Sequence, residues 1–213
     1  MDYLGHRGVT DATINEWMIG YNPSTQRIVL PIMFPDGSVL GVTERATQPY
    51  GPKYLHTKGL STGRVLYGMQ QPINGPVILV EGPMDALLVS QSGYHALAMQ
   101  GGNLSMWQAA VLSGLTQNRG VVIYPDNDAM SKARRWQNVL YKMRIPSIVP
   151  RAPYPVLSPP KADPAWLAEA DPIHLSVTIS TALSRLSEKG AYHAKPHSIR
   201  VLEELRKASR RQV

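Results

Sequence analysis

Two strand-like stretches of this chain end in acid. "PVILVEG" closes in Glu81, and "GVVIYPDND" closes in Asp126 and Asp128, with Glu81 and Asp126 forty-five positions apart. In extended backbone, residues i and i+2 face the same way, so Asp126 and Asp128 are expected to aim at one point. Two clustered carboxylates repel unless a positive charge lies between them. A hard divalent cation with oxygen ligands, Mg²⁺ or Mn²⁺, supplies that charge. Glu81, from another strand, is placed to share the metal or to move a proton. The competing reading is local: acids after strands form turns and cap helices, and either aspartate is a candidate cap for the helix that follows Ala129.

The elements around these acids must bring them together. Residues 75–150 alternate strand and helix. "PVILVEG" precedes the helix "PMDALLVSQSG", closed by Gly93, and "YHALAMQGG" is a second strand. "SMWQAAVLSG" opens with a capping box, Ser105 and Gln108. "GVVIYPDND" is the third strand, "AMSKARRWQNVLYKM" a helix with its basic residues off the apolar stripe, and "IPSIVP" a short fourth strand. Short, continuously apolar strands with helices between them imply a parallel sheet covered on both faces. In such sheets, sites form at the carboxyl edge of the strands.

Residues 1–74 are mixed. "TDATINEWMIG" predicts a helix capped by Thr10 or Asp11 and stopped by Gly20. "RIVLPIMF" and "SVLGVTER" predict strands around the turn "PDG", and "TQPYGPKYLHTKGLSTG" predicts a loop rich in Gly, Pro and basic residues. After residue 150, "RAPYPVLSPPKADP" is a proline-dense connector, followed by helical patterns over Ala165–Ala170, Ile173–Glu188 and His197–Arg210. The expected organisation is three parts: 1–74, 75–150 and 151–213.

Composition narrows the class. The 213 residues are 43% hydrophobic and 17% charged, enough to bury a core. There is no cysteine, hence no disulfide framework and no thiolate zinc site in this chain. No stretch approaches the ~20 apolar residues of a membrane span, and "MDYLGHRGVT" lacks a signal pattern, so a cytoplasmic location without a membrane partner is expected. The net charge is +7, and residues 189–213 alone hold seven basic side chains against Glu203 and Glu204. Such an excess favours a polyanion such as nucleic acid. The six histidines show no ligand spacing. Trp107 and Trp136 fall at helical positions and are expected to pack, whereas Tyr50 and Tyr54, beside Lys53, are candidates for stacking on bases.

With these motifs in order, the sequence resembles the DnaG-type DNA primases, and its middle part their Toprim domain. "VEGPMDALLVSQSG" is similar to the Glu-Gly-Tyr-Met-Asp segment of primases, with Pro83 for the tyrosine. "YPDNDAMSKA" is similar to their Asp-Gly-Asp segment, with Asn127 for the glycine between the acids and Met130 for a later glycine. "ALAMQGGNLS" resembles the intervening strand and turn. Upstream, "YLGHRGVTDATINEWMIGY", "RIVLPIMFPDGSVLGVTERAT" and "GPKYLHTKGLSTGRVLYGM" resemble the opening of the polymerase core, its strand pair and its basic motif. Downstream, "KADPAWL" resembles a late Asp-Pro-Asp motif, with Ala165 where a second acid is usual. The resemblance runs from about residue 3 to 167.

The resemblance implies an α/β fold, α+β overall, with a Toprim parallel-sheet domain between an N-terminal mixed α/β subdomain and a C-terminal helical segment. It implies a DNA-directed RNA polymerase of primase type, making short RNA primers on single-stranded DNA from NTPs. Glu81, Asp126 and Asp128 carry the chemistry; Glu81, Asp85, Asp126, Asp128 and Asp163 match acids at an Mg²⁺ or Mn²⁺ site. Arg7, Arg45 and Lys53 match basic residues on nucleotide or template, with Tyr54 beside them. Arg64, Lys132, Arg134 and Arg135 are candidates for the DNA path. A replicative helicase and a separate zinc-binding domain or subunit are the implied partners. The core begins without the helix that bacterial enzymes place before "YL" and carries no P-loop, which implies a compact, phage-like core or part of a split primase, acting in the host cytoplasm if phage-encoded. Two alternatives remain open: a Toprim-type nuclease that uses the same acids on water, and a non-catalytic module that binds single-stranded DNA and recruits a helicase.

Overall fold

The computed structural model describes residues 2–126, 128–150 and 172–188. The proline-dense connector, Asp163, the expected helix Ala165–Ala170 and the basic segment from 189 onward lie outside them, as does Asn127.

Two four-stranded sheets make the frame. The first is antiparallel, in the order β1 (Gly20–Asn22), β2 (Arg27–Met33), β3 (Val39–Ala46), β4 (Tyr54–His56). The "PDG" turn joins β2 to β3 as expected. Gly37 takes φ +81°, open to glycine at no steric cost, and Ser38 N–H donates to Asp36 Oδ1 at 3.1 Å. Two expectations are corrected here. The stretch after β3 is not all loop, because Tyr54–His56 pairs with Thr43–Arg45 as an edge strand. The first long helix, after the short α1 (Asp2–Gly5), is α2 (Asp11–Glu16), with Thr10 Oγ1 accepting from Thr13 N–H. It stops at Glu16 rather than at Gly20, which already opens β1: the chain turns at Met18, in the left-handed region at φ 51°.

The second sheet is parallel. β5 (Val77–Val80), β6 (Ala96–Ala98), β7 (Val121–Ile123) and β8 (Ser147–Ile148) lie in the order β6-β5-β7-β8. All residues of β5, β6 and β7 are buried, which is why they read as unbroken apolar runs. Between them run α3 (Pro83–Gln91), α4 (Met106–Thr116) and α5 (Met130–Lys142). α4 has its capping box: Ser105 Oγ accepts from Gln108 N–H and Gln108 Oε1 from Ser105 N–H, both at 3.0 Å. α4 touches α5 on one face of the sheet.

α6 (Pro172–Glu188) covers β7 and β8, and Tyr94 after α3 meets Ser176 at 3.1 Å, which places α6 on the α3 side. Its Leu175, Ile179, Ala182 and Leu186 are buried at helical spacing. Leu186 fills the space over Gly120, directly before β7: a Cβ there would fall 2.6 Å from Leu186 Cδ2.

The buried side chains of both sheets form one continuous core. Burying each Val, Leu or Ile contributes about 1.5–3 kcal/mol. The segment between the sheets is stitched to the second by Tyr67, whose N–H and C=O pair with those of Ala98 at 2.9 Å, while its ring lies 5.0 Å from that of Trp17. Among the described residues no helix is long and apolar enough to cross a membrane.

Candidate functional site

β5 and β7 are neighbours, yet β6 intervenes in sequence. The chain leaves β5 outward to β6 and then crosses back to the other side of β5. In this topology the connections diverge to opposite faces and leave a crevice at the carboxyl ends of the two central strands. Leu79 pairs with Ile123, and Tyr124 N–H donates to Leu79 O at 2.9 Å. Glu81 therefore leaves the end of β5 beside the segment that leads from β7 to Asp126. The acids expected from the two strand ends do arrive at one edge of one sheet.

Their presentation differs from the expectation. β7 ends at Ile123, and the acids are not on extended backbone: Ala129 N–H donates to Asp126 O at 2.9 Å, closing a turn from which α5 starts. Asp126 is half-buried and Asp128 is exposed. The cap position of α5 is Ala129 rather than either aspartate, and no hydrogen bond runs from the Ala129 side chain to the helix end. The N-terminal N–H groups of α5 give that corner a partial positive charge that favours anions.

Lys132, in the first turn of α5, meets an acid of this edge. Its Nζ forms an ion pair with Glu81 Oε2 and sits 5.9 Å from the Trp136 ring centroid. Trp136 is buried, as expected of a packing residue, and donates to Gly102 O at 3.2 Å. The other oxygen, Glu81 Oε1, is enclosed and accepts no hydrogen bond from the described residues. Asp85 holds the start of α3, its Oδ2 accepting Gly82 N–H at 3.1 Å. Among the described residues no three Asp, Glu or His side chains are already gathered around one point. The donor set nonetheless fits a hard cation in kind: every candidate ligand is a carboxylate, and Glu81 offers a buried oxygen with coordination to spare.

Above this edge the first sheet brings a basic and aromatic cluster. Arg45 on β3 is only 8% exposed. Its Nε donates to Tyr3 Oη at 2.7 Å and its Nη1 to Tyr54 Oη at 2.5 Å, with the guanidinium 5.5 and 5.1 Å from the two ring centroids. Burial works against the Arg45 cation, but the Tyr54 and Tyr3 oxygens outweigh it and its pKa lies above the usual arginine value. Burial also pushes the Tyr54 phenol up, against the pull of Arg45, with the Asp85 charge adding to the rise. Tyr54 reaches the parallel sheet, since a Cβ on Gly82 would lie 3.8 Å from its Oη. Arg45, Tyr54, Gly82 and Asp85 thus link β3 and β4 to the turn that follows Glu81.

The remaining candidates are dispersed. Lys53 is exposed, with Nζ 5.8 Å from the Tyr54 ring. Arg64 stacks on Trp107 at 5.1 Å, near the start of α4. Arg7 is exposed in the turn after α1, Tyr50 is 82% exposed, and Arg134 and Arg135 lie on the outer face of α5. Sequence reasoning missed Tyr3 as a partner of Arg45. It also missed a polar link between the sheets: Thr43 Oγ1 donates to Gln100 Oε1 at 3.0 Å and lies 3.0 Å from His56 Nδ1. Burial holds the His56 pKa below its usual value. No spacing in the sequence foreshadows contacts that close only when the two sheets meet.

The topology and the acidic crevice define the class as a parallel-sheet α/β core joined to an antiparallel sheet. More particularly, the fold is that of the DnaG-type primase catalytic core. The RNA polymerase and zinc-binding domains of the Aquifex aeolicus primase superpose with a TM-score of 0.72 at 21% identity, over 97% of this chain and 66% of that one. A DnaG primase catalytic domain bound to ssDNA gives 0.66 at 20% identity, over 88% and 73%. In sequence, the chain is 31% identical over 121 residues to a DNA primase of Clostridium acetobutylicum, covering 53% of this chain and 20% of that protein. It is 25% identical over 180 residues to the DNA primase of Deinococcus radiodurans, covering 62% and 32%. The chain thus spans a third or less of the length of these relatives. No family model matches it.

Proposed function

We propose that the chain is the catalytic core of a DNA primase, joining ribonucleotides on a single-stranded DNA template. The observation that carries this is the convergence of Glu81 and the Asp126–Asp128 turn at the β5–β7 switch point, within a fold otherwise met in primase cores. Residues 75–150 serve as its Toprim unit and residues 1–74 as the basic subdomain facing it.

In this reading Glu81, Asp126 and Asp128 hold Mg²⁺ or Mn²⁺, with Asp85 and Asp163 as further acids of the site. Such an ion neutralises charge on the transferred phosphate and aligns the attacking and leaving oxygens. The chain's own residues bind and orient. Glu81, largely enclosed, is placed to accept the proton of the attacking 3′-hydroxyl. The N-terminus of α5 faces the acidic turn and favours phosphate oxygens. Lys53, exposed beside Tyr54, is positioned to meet a triphosphate, with Arg7 and Arg64 farther along the basic rim. Arg45 positions Tyr54 and spends two of its five N–H donors in doing so.

Single-stranded DNA is the partner that the ssDNA-bound relative supports. The chain has no cysteine, so a thiolate zinc module of the kind named for the Aquifex relative would be supplied by another polypeptide or segment. The test is RNA synthesis on a single-stranded template with Mg²⁺ or Mn²⁺, with and without a zinc-domain partner. Template-directed ribonucleotide incorporation, lost in Asp126→Asn and Glu81→Gln, is expected. Hydrolysis of DNA or RNA with no primer formed would overturn the assignment in favour of a nuclease.

A further inference from the structure

We propose that Lys132 is a built-in counter-cation of the acidic site, seated on Glu81 until a divalent metal displaces it. The proposal rests on the metal reading above and goes beyond it by naming what the metal must compete with. The Lys132 ammonium is paired to Glu81 Oε2. The Glu81 side chain is only 17% exposed, so its charge needs a partner nearby. Its second oxygen, Oε1, is buried and accepts no hydrogen bond from the described residues, a place that one lysine ammonium on the other oxygen leaves unsatisfied.

The same side chain is built to leave. Lys132 is 28% exposed, at the edge of the buried face of its helix, with Nζ 5.9 Å from the Trp136 ring. Its four-carbon stem can swing outward without unpacking α5, whose buried residues are Ala133, Trp136 and Leu140. A divalent ion brings twice the charge and can take both Glu81 oxygens or share one with the Asp126–Asp128 turn. Metal entry then exchanges one cation for another and sets an ammonium free beside the acidic site. Lys132 is in this sense a positioning residue, acting through the charge of Glu81.

The test uses the full 213-residue chain and Mn²⁺ alone, read by electron paramagnetic resonance of free Mn²⁺. Lys132→Met removes the competitor and keeps the stem. It is expected to bind Mn²⁺ about five- to fiftyfold more tightly than the native chain, given the range for partly buried ion pairs. Lys132→Arg retains a cation and should bind within about twofold of native, since a guanidinium pairs with the same carboxylate. In the native chain, Mn²⁺ or Mg²⁺ should raise the acylation rate of Lys132, followed by peptide mass spectrometry. Equal or weaker Mn²⁺ binding by Lys132→Met, with native binding intact, overturns the proposal alone. Failure of the native and both variant chains to bind Mn²⁺ overturns the metal reading and the proposal with it.

Discussion

Replacing Arg45 with methionine separates two roles that the sequence merges. A phosphate-binding arginine should stand open to ligand, whereas Arg45 is 8% exposed and hydrogen-bonded to two phenols. Hydrogen bonds from a charged donor contribute about 1.5–3 kcal/mol each, and the two ring contacts about 0.5–1 kcal/mol each. Against this stands the desolvation of a guanidinium that has no carboxylate within ion-pair distance among the described residues, a cost of several kcal/mol that methionine removes. Tyr3 and Tyr54 are only half-buried, so their hydroxyls can partly rehydrate. The net expectation for Arg45→Met is a loss of about 2–3 kcal/mol, or about 4–12 °C in Tm for a chain of this size. Tyr54→Phe should cost about 1 kcal/mol, and the double variant less than the sum of the two. Urea unfolding and calorimetry measure all three. If Arg45→Met kept its Tm within a degree while the KM for NTP rose tenfold, Arg45 would be a nucleotide ligand and the clamp argument would be wrong.

Three further outcomes follow from particular contacts. Gly120→Ala places a Cβ 2.6 Å from Leu186 Cδ2 at φ +113°, and should cost about 2–4 kcal/mol; adding Leu186→Ala should relieve the clash but not the backbone strain, which denaturation of the pair resolves. Leu186→Ala alone empties a buried site on α6 over β7 and should cost about 2–4 kcal/mol by the same measurement. His56 has a folded pKa below its ordinary 6.5, so the unfolded chain takes up the proton first. The stabilisation is present above about pH 6.5 and is lost as pH falls through the depressed value. Tm measured from pH 7.5 to 5 should therefore fall less steeply in His56→Asn, and parallel slopes would refute the assignment.

The parallel sheet was legible because its strands are buried on both faces and leave uninterrupted apolar runs, and because the Ser105–Gln108 box and Gly93 mark the boundaries of its helices, as the "PDG" turn marks that of the antiparallel β2–β3 pair. The strand Tyr54–His56 was not, because an edge strand of three residues among Gly and Pro carries no periodicity of its own. It exists through pairing with β3 and through the Tyr54–Arg45 contact, both made only after the chain has doubled back. The acids were legible as a type and not as a geometry. Period-two reasoning puts Asp126 and Asp128 side by side, but that period holds only while the backbone stays extended, and Pro125 follows a strand that has already ended at Ile123.

That difference bears on how the site works. Were both aspartates on one extended strand end, their mutual repulsion would be fixed in the fold and a metal would be needed merely to relieve it. One aspartate is half-buried and the other exposed across a turn, and Glu81 is a further enclosed carboxylate whose charge needs a cation. Lys132 already meets that need from the first turn of α5. In the proposed reading the chain folds without metal, and metal binding is a step with its own competitor. Calorimetry follows the consequence directly. Removing metal with a chelator should lower Tm by only a few degrees in the native chain, because Lys132 returns to Glu81. In Lys132→Met the same treatment leaves Glu81 without a cation, and the drop should be larger. A large metal-dependent drop in the native chain, matched in the variant, would show that the lysine does not stand in for the metal.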